Sequence, residues 1–198
     1  WRFGQDRAGD LRMLTTATAG AIATIEVPLE ALNGHRVSSS FIREAIRKGA
    51  LEHAQAMLGA PYVIRERAIP GCGLGSRIGF ATANFHPQAE VLPPTGVYVV
   101  DARLLGREDR RWLRGVANFG TNPTVGQGGG LAEPLLEVHL LDFSGDLHGE
   151  EMDVRFLRRL RDERWFPSME ALAAQIARDV EAARRVPVHG FKGSGFRV

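Results

Sequence analysis

The sequence predicts a mainly β fold: a closed or nearly closed antiparallel barrel, preceded by a shorter helical segment and followed by one C-terminal helix. Three observations carry this. Helical periodicity stops at Pro61, and short β-rich runs divided by glycine and proline follow it. After Pro167 and Ser168, the apolar residues Leu172, Ile176 and Val180 recur at i+4, the spacing of one helix face. The 198 residues are 44% hydrophobic and 24% charged, enough apolar surface for a core in an ordinary globular chain.

Charge excludes little and favours little. With 25 basic and 23 acidic residues the net charge is +2, and no basic stripe marks a nucleic-acid or membrane surface. No apolar run approaches the roughly 20 residues of a spanning helix, and no signal-peptide pattern opens the chain. The single cysteine, Cys72, rules out an internal disulfide framework and fits a reducing compartment. The first residue is Trp1 and not Met, so the chain is expected to be a piece of a longer one.

In order, Trp1 to Asp10 reads as a glycine-containing loop, and Asp10 is suited to cap a helix that follows it. Ala23 to Leu29 reads as a short strand that Pro28 disrupts near its end. The serines of Val37-Ser38-Ser39-Ser40-Phe41-Ile42-Arg43 suit the start of a helix running to Lys48 and closed by Gly49. They would equally suit a phosphate at that helix end. A second helix spans Leu51 to Leu58, closed by Gly59, and a domain boundary is expected between Gly59 and Tyr62. Candidate strands are Tyr62 to Ile69, Gly96 to Leu105, Leu113 to Phe119, Leu135 to Phe143 and Glu151 to Leu157. The glycine run 126–130 reads as a loop, and the tail beyond Arg185 as loose.

Two stretches carry chemistry. Gly71, Gly73, Gly75 and Gly79 free a loop whose N–H groups can approach an anion closely. Just beyond it Thr82 and Asn84 share one face of an extended segment, both neutral oxygen donors of the kind Mg²⁺ accepts beside phosphate oxygens. The same residues also describe a plain glycine-rich hairpin with a polar edge. The second stretch is Leu135 to Leu141, where Leu136, Val138 and Leu140 share one face and Glu137 and His139 the other. A carboxylate there either faces solvent or lines a polar pocket, where it could accept a proton from an attacking hydroxyl. His139 fits a hydrogen-bonding partner better than a base.

Several segments in order now resemble one family. They are Gly59-Ala60-Pro61-Tyr62, Gly79-Phe80-Ala81-Thr82-Ala83-Asn84, Gly96-Val97-Tyr98, Gly115 to Thr121, Pro123-Thr124-Val125, Leu136 to Leu140, and Leu160-Arg161-Asp162-Glu163-Arg164-Trp165-Phe166. Together they resemble the riboflavin kinase module of bacterial bifunctional riboflavin kinase/FAD synthetases. The resemblance implies a Greek-key antiparallel β-barrel with a C-terminal helix, and Mg²⁺-dependent transfer of the ATP γ-phosphate to the ribityl 5′-hydroxyl of riboflavin. Carried over residue by residue, it implies Glu137 as catalytic base and Thr82 and Asn84 as holding Mg²⁺ and the nucleotide phosphates. It further implies Gly71, Arg77, Leu140, Asp142 and His148 along the nucleotide, and Arg161, Arg164 and Phe166 against the flavin. Ala81 stands where the family has proline, which removes a φ restraint before Thr82. Pro70, Cys72, Leu74 and Asn122 also depart from the family's usual residues.

The first part of the chain resembles the end of the same family's adenylyltransferase domain, of Rossmann-like α/β nucleotidyltransferase type. The match is carried by Arg2-Phe3-Gly4 with Gly9-Asp10, and by Ser38-Ser39-Ser40-Phe41-Ile42-Arg43. The expected division is therefore residues 1–58 as a remnant of that domain, 59–185 as the kinase and 186–198 as a tail. That domain's His-x-Gly-His phosphate motif does not occur in this sequence. If the chain is complete, FAD synthesis should be absent and Arg43 vestigial; if it is a fragment, its parent was bifunctional. Expected partners are riboflavin/FMN and ATP/ADP in the cytoplasm, with no nucleic acid or membrane, and self-association is left open. The alternative class is a flavin-binding regulatory barrel without catalysis.

Overall fold

The computed structural model describes residues 2–19, 21–25, 28–70, 82–122 and 133–187. The glycine loop with Gly71 and Arg77, the glycine run 126–130 and the tail beyond 187 lie outside the described residues. The chain divides into two compact units, Trp1–Val37 and Ser38–Val198.

In the first unit Asp10 caps α1 (Leu11–Thr18), its carboxylate accepting from the Met13 N–H at 2.9 Å. Ala23–Leu29 forms no strand among its described residues; the strands are instead β1 (Ala31–Leu32) and β2 (His35–Arg36). Asn33 and Gly34 join them with φ of 51° and 80°. Both values are positive, as a two-residue hairpin turn requires, and Asn-Gly meets that demand at least cost. Turn chemistry thus outweighed the β propensity of the preceding run.

The second unit opens on α2 (Ser39–Arg47), capped by Ser38, and α3 (Leu51–Leu58), which Gly59 ends at φ 72°. These helices bury Ala45, Ile46 and Ala54 with Val91, against which Tyr62 packs. Leu51 reaches the main core. This packing explains why the compact division falls after Val37, whereas the change in sequence character comes near Gly59.

Six strands follow: β3 (Tyr62–Arg67), β4 (Thr82–Phe85), β5 (Gly96–Leu104), β6 (Leu113–Asn122), β7 (Glu133–Leu140) and β8 (Glu151–Arg161). Every pairing is antiparallel, and the order across the sheet is β3-β8-β5-β6-β7-β4. Because β8 returns beside β5, the run β8-β5-β6-β7 is a Greek key. Two register shifts between β5 and β8 increase the bend. The edge strands approach one another at the Ile69–Asn84 bridge, where the Ile69 N–H donates to the Asn84 carbonyl at 2.8 Å.

Alternation along the strands separates two faces. One encloses the core of Phe85, Tyr98, Phe119, Leu136, Val138, Leu140, Met152 and Phe156. On the other, Val97, Val99 and Val116 pack with Leu157 and with Ala183 and Val180 of the C-terminal helix α4 (Met169–Arg185). The helix starts at Ser168, as predicted, with the Ser168 hydroxyl accepting from the Ala171 N–H. Its buried residues are Gln175, Asp179 and Ala183, while Leu172, Ile176 and Val180 are half-buried beside them. The helix is seated on polar contacts as much as on apolar ones.

Asp101 of β5 is only 2% exposed and sits between two guanidinium groups. Arg114 reaches it at 2.6 Å and Arg155 at 2.7 Å. Arg114 Nη1 also donates to the carbonyls of Ala183 and Val186 at 2.6 Å, so the same arginine ties the sheet to the end of α4. Arg155 lies 4.2 Å from the Trp112 ring, and Arg103 caps the ring at 4.6 Å. Removing one partner of a buried pair leaves an uncompensated charge, at a cost of about 3–5 kcal/mol. Asp101→Ala should therefore lower the unfolding free energy by roughly 3 kcal/mol in a urea titration; an unchanged midpoint would show the cluster to be dispensable.

Candidate functional site

The site is set by register on the sheet face that carries α4. Glu137 of β7 pairs with Asn84 of β4 on one side and Asn118 of β6 on the other. Asn118 in turn pairs with Val97, and Val97 with Arg161 of β8. Directly opposed residues share a face with Cβ atoms about 4.5–5.5 Å apart. Asn84, Glu137 and Asn118 therefore form a continuous polar row, with Arg161 two strands beyond. In the neighbouring row Thr82 stands opposite His139. The period of two that puts Leu136, Val138 and Leu140 in the core is what turns Glu137 and His139 the other way.

Glu137 is half-buried. Burial holds its carboxyl above the usual carboxylate range, and the negative charge of Glu163 adds to the effect. The group is consequently a stronger proton acceptor than an ordinary glutamate. Asn84 is buried, at 7% exposure, and Thr82 half-buried. Among the described residues no group of three or more His, Cys, Asp or Glu could hold a metal ion. A threonine hydroxyl beside an asparagine amide is instead a neutral, hard donor pair, which fits a Mg²⁺ ion whose remaining ligands are waters and phosphate oxygens.

Arg161, Arg164 and Phe166 come together as well. The Phe166 ring lies 4.9 Å from the Arg164 guanidinium and 5.7 Å from that of Arg161. Arg161 forks onto Asp179 of α4 through Nε at 3.1 Å and Nη2 at 2.7 Å. Gln175 donates to the same carboxylate at 2.7 Å, and its carbonyl oxygen accepts from Arg164 and Arg178. The polar stripe of α4 thus orients the arginines that flank the ring.

Other candidates are dispersed. Asp142 turns the chain out of β7 at φ 55° and accepts both Arg184 guanidinium bonds at 2.7 Å, which lowers its pKa. The side chain of Leu140 lies in the interior core at 1% exposure, so only its backbone can touch a ligand. His148 is exposed and precedes Gly149, whose N–H bonds the Ala68 carbonyl shortly before the glycine loop. Gly71 and Arg77 lie outside the described residues. The sequence alone assigns no role to Asn118, Glu163, Gln175 or Asp179. Alternation places Asn118 on the polar face, and Gln175 and Asp179 share a helix face at i, i+4, but it is strand register that brings Asn118 beside Glu137 and tertiary contact with Arg161 and Arg164 that brings in the helix pair.

Comparison with known proteins defines the class. The family model of riboflavin kinase matches residues 58–187. A bifunctional riboflavin kinase/FMN adenylyltransferase of Haemophilus influenzae is 41% identical over 185 residues, covering 93% of this chain and 58% of that protein. The protein of the same description from Bacillus subtilis is 37% identical over 151 residues, covering 76% of this chain and 46% of its own length. Among solved structures, that of a macrolide-efflux protein from Streptococcus pneumoniae superposes with a TM-score of 0.78 at 33% identity, over 94% of this chain and 58% of that one. The chain belongs to the riboflavin kinase family. It spans a little under three fifths of the length of curated relatives such as those of Haemophilus influenzae and Escherichia coli. No helix among the described residues is long and apolar enough to cross a membrane.

The raised proton affinity of Glu137 has a stability consequence whose sign is fixed. A carboxyl whose folded pKa lies above its unfolded value favours the folded state in acid, and that contribution is lost as pH rises through the folded pKa. Glu137→Gln should therefore be no more stable than the parent well below the ordinary carboxylate pKa and more stable at neutral pH. Thermal unfolding at the two pH values measures the difference, and equal shifts at both would contradict the assigned environment.

Proposed function

We propose that this chain transfers the γ-phosphoryl group of ATP to the ribityl 5′-hydroxyl of riboflavin, giving FMN and ADP. The observation that supports it most is the row Asn84, Glu137, Asn118, which places a half-buried carboxylate of raised proton affinity beside two neutral amides. Glu137 accepts the hydroxyl proton as that oxygen attacks phosphorus and ADP departs. Phosphoryl transfer needs little else from a protein than alignment and neutralised charge. Thr82 and Asn84 hold Mg²⁺, which when bound supplies charge neutralisation at the phosphates. Gly71 and Arg77 contact the nucleotide, with the Leu140 backbone, Asp142 and His148 along it. Arg161, Arg164 and Phe166 hold the isoalloxazine ring, oriented by Gln175 and Asp179.

For the whole protein, we propose that residues 1–58 belong to an FMN adenylyltransferase domain and residues 59–185 to the kinase, in a cytoplasmic enzyme of FMN and FAD formation. The relatives described as bifunctional support that reading, and the Ser38 to Arg43 segment is its trace in this sequence.

Glu137→Gln keeps the shape and removes the base. Loss of a general base costs about 10²–10⁴-fold in rate, so kcat for FMN formation should fall at least about 10²-fold while riboflavin affinity stays within a few-fold. Retention of parental kcat would remove Glu137 from the mechanism. In the parent, kcat should decline in acid at a pH above the ordinary glutamate range, because the base must be ionised to act and its carboxyl pKa is raised. An acid limb at the ordinary carboxylate pKa would contradict that.

A further inference from the structure

Glu163 lies in the segment after β8, between Arg161 and Arg164. Its Oε1 accepts from the Asn118 amide at 3.3 Å, and Asn118 is the β6 neighbour of Glu137. The carboxylate is seated against the backbone of Gly120. A Cβ built on Gly120 would overlap it, lying 2.8 Å from the Glu163 Cδ. Gly120 does not have a positive φ, so space and not backbone conformation is what a side chain there would violate. The two arginines flanking Glu163 in sequence are engaged elsewhere, Arg161 on Asp179 and Arg164 on Gln175. Glu163 is exposed, and no salt bridge pairs it among the described residues.

Across the face the groups then follow one another in a definite order: Phe166 under its arginines, Glu163 with Asn118, Glu137, and finally Asn84 with Thr82. On the reading of the site given above, an aromatic ring lies at one end and the phosphates at the other. The segment of substrate between them is the hydroxyl-bearing chain. Hydroxyls are donors, and an ionised carboxylate without a cation partner is the strongest acceptor a protein can offer them.

We propose that Glu163, held by Asn118 and by the bare backbone of Gly120, reads the internal hydroxyls of the polyol chain of the acceptor substrate and so determines specificity for a ribityl flavin over the ring alone. This rests on the phosphotransferase reading. It adds a residue that selects the acceptor without taking its proton.

The probes are riboflavin and lumiflavin, which share the ring but differ in the polyol. Flavin fluorescence gives both dissociation constants for the parent chain, Glu163→Ala and Gly120→Ala. A hydrogen bond to a charged group corresponds to roughly a tenfold or larger change in affinity. The parent should bind riboflavin at least about tenfold more tightly than lumiflavin, and Glu163→Ala should remove most of that preference while lumiflavin affinity stays within twofold. Gly120→Ala keeps the carboxylate but displaces it, and should reproduce the loss with an unchanged thermal midpoint. Equal weakening of both flavins, or a preference that survives in both variants, would overturn the proposal. FMN formation by the parent separates the two readings. If FMN forms while the preference is insensitive to Glu163, only the specificity role fails; if no FMN forms, the phosphotransferase reading fails and this one with it.

Discussion

The register of β7 between β4 and β6 is the constraint on which the rest depends. Side chains alternate with a period of two, so a slip of one residue would carry Glu137 into the core and expose Leu136, Val138 and Leu140. The apolar residues therefore police the position of the acidic one. Pairing on both sides matters as much, because Asn84 comes from the edge strand just after the glycine loop and Asn118 from the centre of the sheet. A carboxylate and two amides from three strands far apart in sequence meet in one row, with Thr82 in the row beside it.

The second organising device is the helix that covers the same face. A helix seated only by leucine and isoleucine contacts would be held in place without directing any polar group. Here Gln175 and Asp179 occupy its buried stripe and fork Arg161 and Arg164 toward Phe166. Arg114, neutralised by Asp101, grips the carbonyls at the C-terminal end of the helix, where the macrodipole favours a cation. The polar contacts thus link the stability of the sheet to the placement of the aromatic end of the site.

Much of this was legible in the sequence. Glycine and proline punctuation located five of the six strands of the large sheet, β4 being read only as an extended segment after the glycine loop; serine and glycine caps located α2, α3 and α4, and alternation showed which residues accompany Glu137. Pairing was not legible, because register depends on the partner strand. From β7 alone both solvent and a pocket were open to Glu137; Asn118 gains its meaning from β6 lying beside β7. The burial of the C-terminal helix depends on its partner in the same way. Its i+4 apolar pattern is real, yet the sheet beneath presents Arg161, so the residues that bury most deeply include Gln175 and Asp179. The strand expected at Ala23–Leu29 gave way to the Asn33-Gly34 hairpin, where a turn with two positive φ angles outweighs β propensity.

On the function proposed above, Glu137 and its neighbours make a phosphotransferase that acts on a flavin alcohol. The most direct measurement incubates the 198-residue chain with riboflavin, ATP and Mg²⁺ and separates riboflavin, FMN and FAD by chromatography. FMN appearing with one ADP for each FMN formed is the predicted result. Riboflavin bound but unchanged, with ATP intact, would contradict it and leave a flavin-binding barrel without catalysis.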